Sequence, residues 1–320
     1  EPTCIIGRHH FELLRRSLRR SMMLSRVFLS SLCLLQLLVS GASFAVAPRL
    51  AQCRSRAGTR MSNDADGAAV DMGDVGFVLL AGGTGSRMKA NMPKQFLDLC
   101  GVPVLHHSLD LFLNRLTDHA KESGKSGPPF VVLVMDPKYQ PEYQPIVDNF
   151  NGRLAFANPG VERQGSVENG LSKLVELADG SCEYVAVHDS ARPLVTIQEI
   201  SDVITDAKEH GAAVLGVPCK ATIKESEDGT LVLRTIPRSR LWEVHTPQVI
   251  KIDTLQRGFA KVEAETLEVT DDVSIVEALG EPVKLTLGEY TNLKITTPED
   301  MSVAMSILDE RKAQPVNMLA

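Results

Sequence analysis

Three glycines within four positions, Gly82, Gly83 and Gly85, follow an apolar run and precede two cations, Arg87 and Lys94. The full stretch is Leu79-Leu80-Ala81-Gly82-Gly83-Thr84-Gly85-Ser86-Arg87-Met88, continued by Asn91-Met92-Pro93-Lys94-Gln95. Glycines after a strand let backbone N–H groups turn toward an anion. Cations fixed beside such a cradle suit a triphosphate whose charge must be spread during transfer. A Walker loop needs Lys-Ser or Lys-Thr after the glycines, and none follows; a dinucleotide fingerprint from Gly83 would need glycine where Met88 stands. The plainer alternative is a tight turn with two solvated cations.

Four further blocks carry candidate chemistry. In Val187-His188-Asp189-Ser190-Ala191-Arg192-Pro193, Asp189 is a candidate ligand for magnesium, which takes oxygen ligands and keeps several waters. Arg192 can hold a substrate phosphate by a two-pronged contact, or else bridge to Asp189 and cap the next helix. His188 reads as structural. A third block joins Thr222-Ile223-Lys224, Arg238-Ser239-Arg240-Leu241-Trp242 and His245-Thr246-Pro247-Gln248. The fourth is Thr270-Asp271-Asp272, in which no site residue is assigned. The fifth runs from Asn292 to Asp300. There Thr297 is placed to cap a helix opening at Pro298, and Lys294 is the functional candidate.

The elements that must position these residues alternate. Strands are expected at 75–81, 130–135, 184–188, 213–218, 283–287 and 293–295. Helices are expected at 104–116, 161–177, 197–209, 252–262, 273–279 and 298–308. Such alternation predicts an α/β domain, a mainly parallel sheet with helices on both faces and ligands outside the carboxyl ends of the strands. Residues 220–247 break the rhythm. Two short strand-like runs around Glu227-Asp228-Gly229 predict a hairpin that projects as a β-arm, the kind of element that pairs with another subunit.

The two ends of the 320-residue chain differ in charge. Residues 1–60 hold ten arginines, no lysine and two acids, so the overall charge of −6 averages a basic leader and an acidic body. That balance argues against a general nucleic-acid binder. From Met22, one of two expected starts with Met23, come Arg26, the apolar run 27–39 and the small residues 40–43. This is the order of a signal peptide, at about 22–43, and the run is short for a membrane span. A second Arg-rich stretch follows. Residues 1–74 are therefore expected to be a leader and linker, and 75–320 the catalytic domain with its arm at about 220–247. Six cysteines (4, 33, 53, 100, 182 and 219) form no C-x-x-C pair, which excludes a zinc ribbon and weighs against a disulfide scaffold.

Together the five blocks resemble, in order and over roughly residues 75–310, the 2-C-methyl-D-erythritol 4-phosphate cytidylyltransferases of the non-mevalonate isoprenoid pathway. The resemblance implies a Rossmann-like nucleotidyltransferase fold, CTP and methylerythritol phosphate as substrates, magnesium, and a homodimer formed through the arm. It implies that Arg87 and Lys94 stabilise the transition state and that Ala81, Gly82 and Gly83 touch the nucleotide. Gly160, Val161 and Ser166 match the segment that reads cytosine. Asp189 and Arg192 match residues around metal and acceptor. Arg238 and Thr222 match arm residues that position the acceptor in the partner subunit, Thr246 a nearby acceptor contact, and Lys294 the last positioning lysine. The two-part leader resembles that of proteins sent to plastids of secondary origin; a plain secretory leader is the competitor. Nothing in the sequence calls for nucleic acid, or for a membrane once the leader is removed. The rival activities are cytidylyl transfer to ribitol 5-phosphate or another polyol phosphate, and uridylyl or guanylyl transfer to sugar 1-phosphates. A catalytically inactive nucleotide-binding protein is the rival of a different class.

Overall fold

Strand β1 (Val75–Leu80) is the hinge of the architecture, because every residue but its last is buried. A strand apolar on both faces needs cover on both sides, and the chain supplies it. The computed structural model describes residues 69–83, 88 and 92–313. Within them β1 lies in the interior of a seven-stranded sheet, parallel to β4 (Val131–Val134) on one side and to β6 (Tyr184–Asp189), the middle strand, on the other. Beyond β4 lies β5 (Leu154–Ala157), also parallel. On the opposite side come β10 (Trp242–Lys251), β7 (Ala212–Pro218) and β11 (Lys284–Leu287). Only β10 runs antiparallel to its neighbours, and its register slips between Val244 and Gln248, around the cis peptide before Pro247. The small hairpin β2 (Asp98–Leu99) with β3 (Val102–Pro103) stands apart from the main sheet.

Helices cover both faces. The first is a continuous rod made of α1 (Val104–Asp110), a π-helical turn (Leu111–Arg115) and α2 (Leu116–Glu122). The widened turn buries three consecutive residues, Leu111, Phe112 and Leu113. Phe112 packs on Phe77 of β1 and on His188 of β6, with ring centroids 4.8 and 5.1 Å apart. Helix α3 (Gln140–Asp148) precedes β5. On the other face, α4 (Arg163–Ala178), α6 (Ile252–Glu265) and α7 (Asp272–Ala278) share one core with Val78, Val134 and Val187 of the sheet. Helix α5 (Ile197–His210) opens on a capping box between Thr196 and Glu199. Helix α8 (Pro298–Ala313) opens as expected, with the Asp300 amide donating to Thr297 Oγ1.

Three expectations need correction. Residues 293–295 form no strand: the Ile295 amide donates to Ala191 O, and the Thr296 and Thr297 amides donate to Asp300 Oδ2, so loop and side-chain acceptors replace a ladder. The ten-residue β10 was not anticipated, because His245 and Thr246-Pro247 interrupt its apolar run. Helix α3 and strand β5 were missed as well; they are short, and α3 carries two prolines, Pro141 and Pro145. The expected leader lies outside the described residues up to residue 68.

Candidate active site

Sheet order decides where the site falls. The chain leaves β1 toward β4 but leaves β6 toward β7, so the carboxyl ends of β1 and β6 flank the point where the connections diverge. A crevice forms at such a point in open α/β sheets. Leu80 pairs in register with Asp189, so the glycine loop and the Asp189 block emerge side by side.

Gln95 holds the start of the loop, its Nε2 donating to Ala81 O at 2.6 Å and Gly83 O at 3.2 Å. Met88, at the far end, is buried among Leu99, Val104, Leu194 and Ile295. Gly82 lies against Pro159: a Cβ there would sit 2.9 Å from the proline Cβ. Next to Pro159 the 160–166 turn closes on itself. The Gly160 amide donates to Ser166 Oγ, which donates to Glu162 O, both at 3.0 Å. A Cβ on Gly160 would meet the backbone of Gly165 at 2.5 Å, so only glycine fits this turn. Val161 points fully into solvent.

The Asp189 carboxylate is gripped by cations. Lys294 Nζ donates to Oδ2 at 2.5 Å, and Arg163 Nε lies 3.6 Å from Oδ1. Burial alone would raise this carboxyl, but Arg163, Lys294 and Arg192 outweigh it and hold it well below the usual carboxylate range. Arg163 Nη1 and Nη2 donate to the two oxygens of Asp272 at 2.7 and 2.8 Å. The Asp272 amide in turn donates to Gln248 Oε1. Lys94 Nζ donates to Ile295 O at 2.8 Å, one residue beyond Lys294, so both lysines reach the same loop.

Behind Asp189 lies a buried hydrogen-bonded network. The Asp189 amide donates to Thr246 Oγ1, and that hydroxyl donates to His188 Nδ1, each at 3.1 Å. The proton of the ring then sits on Nε2, which donates to Arg192 O. Burial pushes His188 down to about 4, so it stays neutral. Arg192 is buried and donates from Nη1 to Asn292 O and from Nη2 to Val244 O. Asn292 Nδ2 donates to Thr246 O.

Among the described residues no group of three or more His, Cys, Asp or Glu side chains could hold a metal ion by itself. Asp189 offers a single ionised carboxylate at the crevice. That donor set fits a hard cation completed by phosphate oxygens and water, and does not fit zinc, which takes three or four protein ligands.

Comparison with known proteins decides the family. Residues 75–310 match the family IspD, 2-C-methyl-D-erythritol 4-phosphate cytidylyltransferase. The chain belongs to this family. A relative of that name, designated chloroplastic, from Oryza sativa subsp. japonica is 45% identical over 87% of this chain and 89% of its own. Another from Desulforamulus reducens is 40% identical over 75% and 98%. Among solved structures, the 4-diphosphocytidyl-2C-methyl-D-erythritol synthase of Anaerococcus prevotii covers 75% of this chain and all of its own, with a TM-score of 0.62 at 26% identity. The cytidylyltransferase of Thermus thermophilus gives 0.56 at 29% identity over 72% and 98%. The fold is the α/β nucleotidyltransferase fold that the motifs implied.

For a member of the IspD family, the crevice brings together most residues expected from the sequence. Ala81, Gly82, Gly83, Lys94, Asp189 and Lys294 border it, and Gly160 and Ser166 shape the adjoining turn. Arg87 lies outside the described residues. Arg192 and Thr246 stand behind the crevice in hydrogen-bonded, buried positions, and the Asp189–Arg192 bridge weighed as an alternative gives way to Asp189 pairs with Lys294 and Arg163. Thr222 and Arg238 lie on the exposed arm formed by β8 (Lys224–Glu225) and β9 (Arg234–Thr235). Arg238 donates to Lys220 O within the arm, so within one chain neither arm residue joins the Asp189 cluster. Sequence reasoning missed Arg163, Asp272, Gln248 and Asn292. Arg163 and Asp272 are 109 positions apart, a separation that no local period reveals.

Proposed function

We propose that this protein transfers CMP from CTP to 2-C-methyl-D-erythritol 4-phosphate, giving 4-diphosphocytidyl-2-C-methyl-D-erythritol and pyrophosphate. The observation that carries this reading is the crevice itself: a glycine loop and an ionised Asp189 emerge side by side, flanked by Lys94 and Lys294, in a chain of the IspD family. The acceptor is a phosphate monoester whose second pKa is ~6, so it is largely dianionic at neutral pH. One of its oxygens attacks the α-phosphorus of CTP. A phosphorus–oxygen bond forms there as the bond to the bridging oxygen breaks, and pyrophosphate departs with the electron pair. No general base is needed, in keeping with a neutral, buried His188.

Positioning and electrostatics then carry the reaction. In this reading Arg87 and Lys94 offset charge on the transferring group. Ala81, Gly82 and Gly83 present backbone to the triphosphate, and Gly160, Val161 and Ser166 read cytosine. Lys294 and Thr246 serve the acceptor, with Arg192 fixing the backbone around them. Asp189 would hold magnesium, which when bound neutralises phosphate charge. Thr222 and Arg238 serve the site of a second copy; exposed Leu231, Val232 and Leu233 on the arm supply apolar surface for that pairing. Residues 75–320 form the catalytic unit, and 1–74 a leader to a plastid. The chloroplastic designation of the rice relative supports the plastid. The signal-then-transit composition supports a complex plastid. No helix among the described residues is long and apolar enough to cross a membrane.

The test is pyrophosphate release by the full chain with magnesium, offering CTP, UTP, ATP and GTP, each with methylerythritol phosphate or ribitol 5-phosphate. Release with CTP and methylerythritol phosphate alone is expected. Release with ribitol phosphate alone would move the protein to the sibling activity. Absence of release from a chain that still binds CTP would overturn the reading.

A further inference from the structure

Arg163 joins three elements of the fold. It is the first residue of α4, directly after the 160–162 turn, and it touches two acids carried by two other elements. Its Nη1 and Nη2 form a fork on Asp272, the first residue of α7, at 2.7 and 2.8 Å. Its Nε faces Asp189 Oδ1 at 3.6 Å, at the end of β6. Asp272 is 1% exposed, and its position is set by Gln248, whose Oε1 accepts from the Asp272 and Val273 amides. Gln248 Nε2 donates to Asp271 Oδ2, and Asp271 caps α7. The guanidinium therefore rests on Asp272, at a helix start held by Gln248 and Asp271, and turns its Nε to Asp189. A fork on a carboxylate fixes orientation as well as charge, which an ammonium does not do.

We propose that Arg163 is a positioning residue: seated on Asp272, it orients the Asp189 carboxylate in the cytidylyl-transfer site, separates the two acids and ties both to the 160–166 turn. This rests on the reading of Asp189 as the group that holds the divalent cation. Without the guanidinium two neighbouring buried acids would lose their shared counter-charge. They would then recruit another cation, and Asp189 would turn away from the reacting phosphates. Lysine at this position keeps the charge but cannot serve both acids with a planar fork.

The experiment compares the full chain with its Arg163→Met and Arg163→Lys variants. Pyrophosphate release from CTP and methylerythritol phosphate is followed beside thermal unfolding, and Mn2+ binding without nucleotide by electron paramagnetic resonance. Partners one step removed from a metal are worth roughly 10–100-fold in activity. Arg163→Met is expected to lose kcat in that range after correction for the folded fraction, and to bind Mn2+ more tightly than wild type. Arg163→Lys is expected to return Mn2+ binding to the wild-type level while recovering only part of kcat. Loss of activity that merely follows the folded fraction, or Mn2+ binding unchanged in Arg163→Met, would overturn the proposal. If Arg163→Met does not fold, a lysine variant with wild-type kcat overturns it equally. Wild-type chain that releases no pyrophosphate would defeat the functional reading instead, and the Mn2+ comparison, which needs no turnover, would still decide the role of Arg163.

Discussion

Lys94 and His106 show how differently two polar residues in one domain can be used. Lys94 makes a charge-assisted hydrogen bond to Ile295 O near the crevice, a contact of about 1.5–3 kcal/mol that exposure and screening reduce. Its proposed role in spreading phosphate charge acts on turnover instead. Lys94→Ala is expected to lower kcat by roughly 100–1,000-fold, the scale of losing one fixed electrostatic contact. Its unfolding midpoint is expected to stay within a few degrees of wild type; equal losses of activity and stability would refute the role. His106 is buried against the edge of Tyr143, and its Nε2 has no hydrogen-bond partner. Burial lowers it from 6.5 to about 4. Between those values the unfolded chain holds a proton that the folded chain does not, so stability is full above the unfolded value and falls as pH drops toward 4. The loss is on the order of 3 kcal/mol. His106→Leu is expected to make the fall in stability across that window shallower, with the part due to buried His188 remaining, in denaturant titrations at several pH values.

At the scale of elements, the site depends on turns and caps more than on the strands themselves. Gly160 is packed so closely on Gly165 that any side chain must open the turn. Gly160→Ala is therefore expected to displace Ser166 and the start of α4, with a loss of roughly 100-fold in kcat/KM for CTP, the cost of a misplacement of about 1 Å. Steady-state kinetics with CTP varied would check it. Glu199 ties two elements together: Oε2 accepts from the Thr196 amide at the start of α5, and Oε1 accepts from the Glu289 amide after β11. Glutamine has one acceptor oxygen where glutamate has two. Glu199→Gln is expected to lose about 1–2 kcal/mol of stability, the usual worth of a cap, without a change in KM for CTP. These elements were partly legible. The capping signals at Thr297 and Pro298 are local, and their chemistry is complete within four residues. Residues 293–295 form no strand although their apolar residues, Leu293 and Ile295, alternate as in one. The hydrogen bonds of the 292–297 segment go to Ala191 and Asp300, which the local sequence does not reveal.

For the whole molecule, the arm is the feature one chain leaves unused. Leu231, Val232 and Leu233 are 79%, 61% and 58% exposed, an apolar patch on a hairpin that carries the proposed acceptor residues. If the arm completes the site of a second copy, Leu231→Asp with Leu233→Asp is expected to shift sedimentation from dimer to monomer and to lower activity at dilute concentration. Monomeric wild type with full activity would refute this. The sequence alone determined the fold class, because the alternation of strand and helix periods is a local matter of backbone and apolar spacing, but β10, α3 and β5 escaped it. It pointed to the chemistry through resemblance, since the glycine loop, the cations and the His-Asp-Ser-Ala-Arg-Pro block stand in the order of one family, while the residue types alone left a tight turn with solvated cations open. Only the tertiary structure decided which charges meet. Sheet order brought β1 beside β6, the loop through residues 292–296 delivered Lys294 to Asp189, and the first residue of α7 within reach of the first residue of α4 made Arg163 the link between two acids. The Lys294–Asp189 and Arg163–Asp272 pairs join residues 105 and 109 positions apart. Packing of the folded chain selects them, and no spacing within the sequence records it.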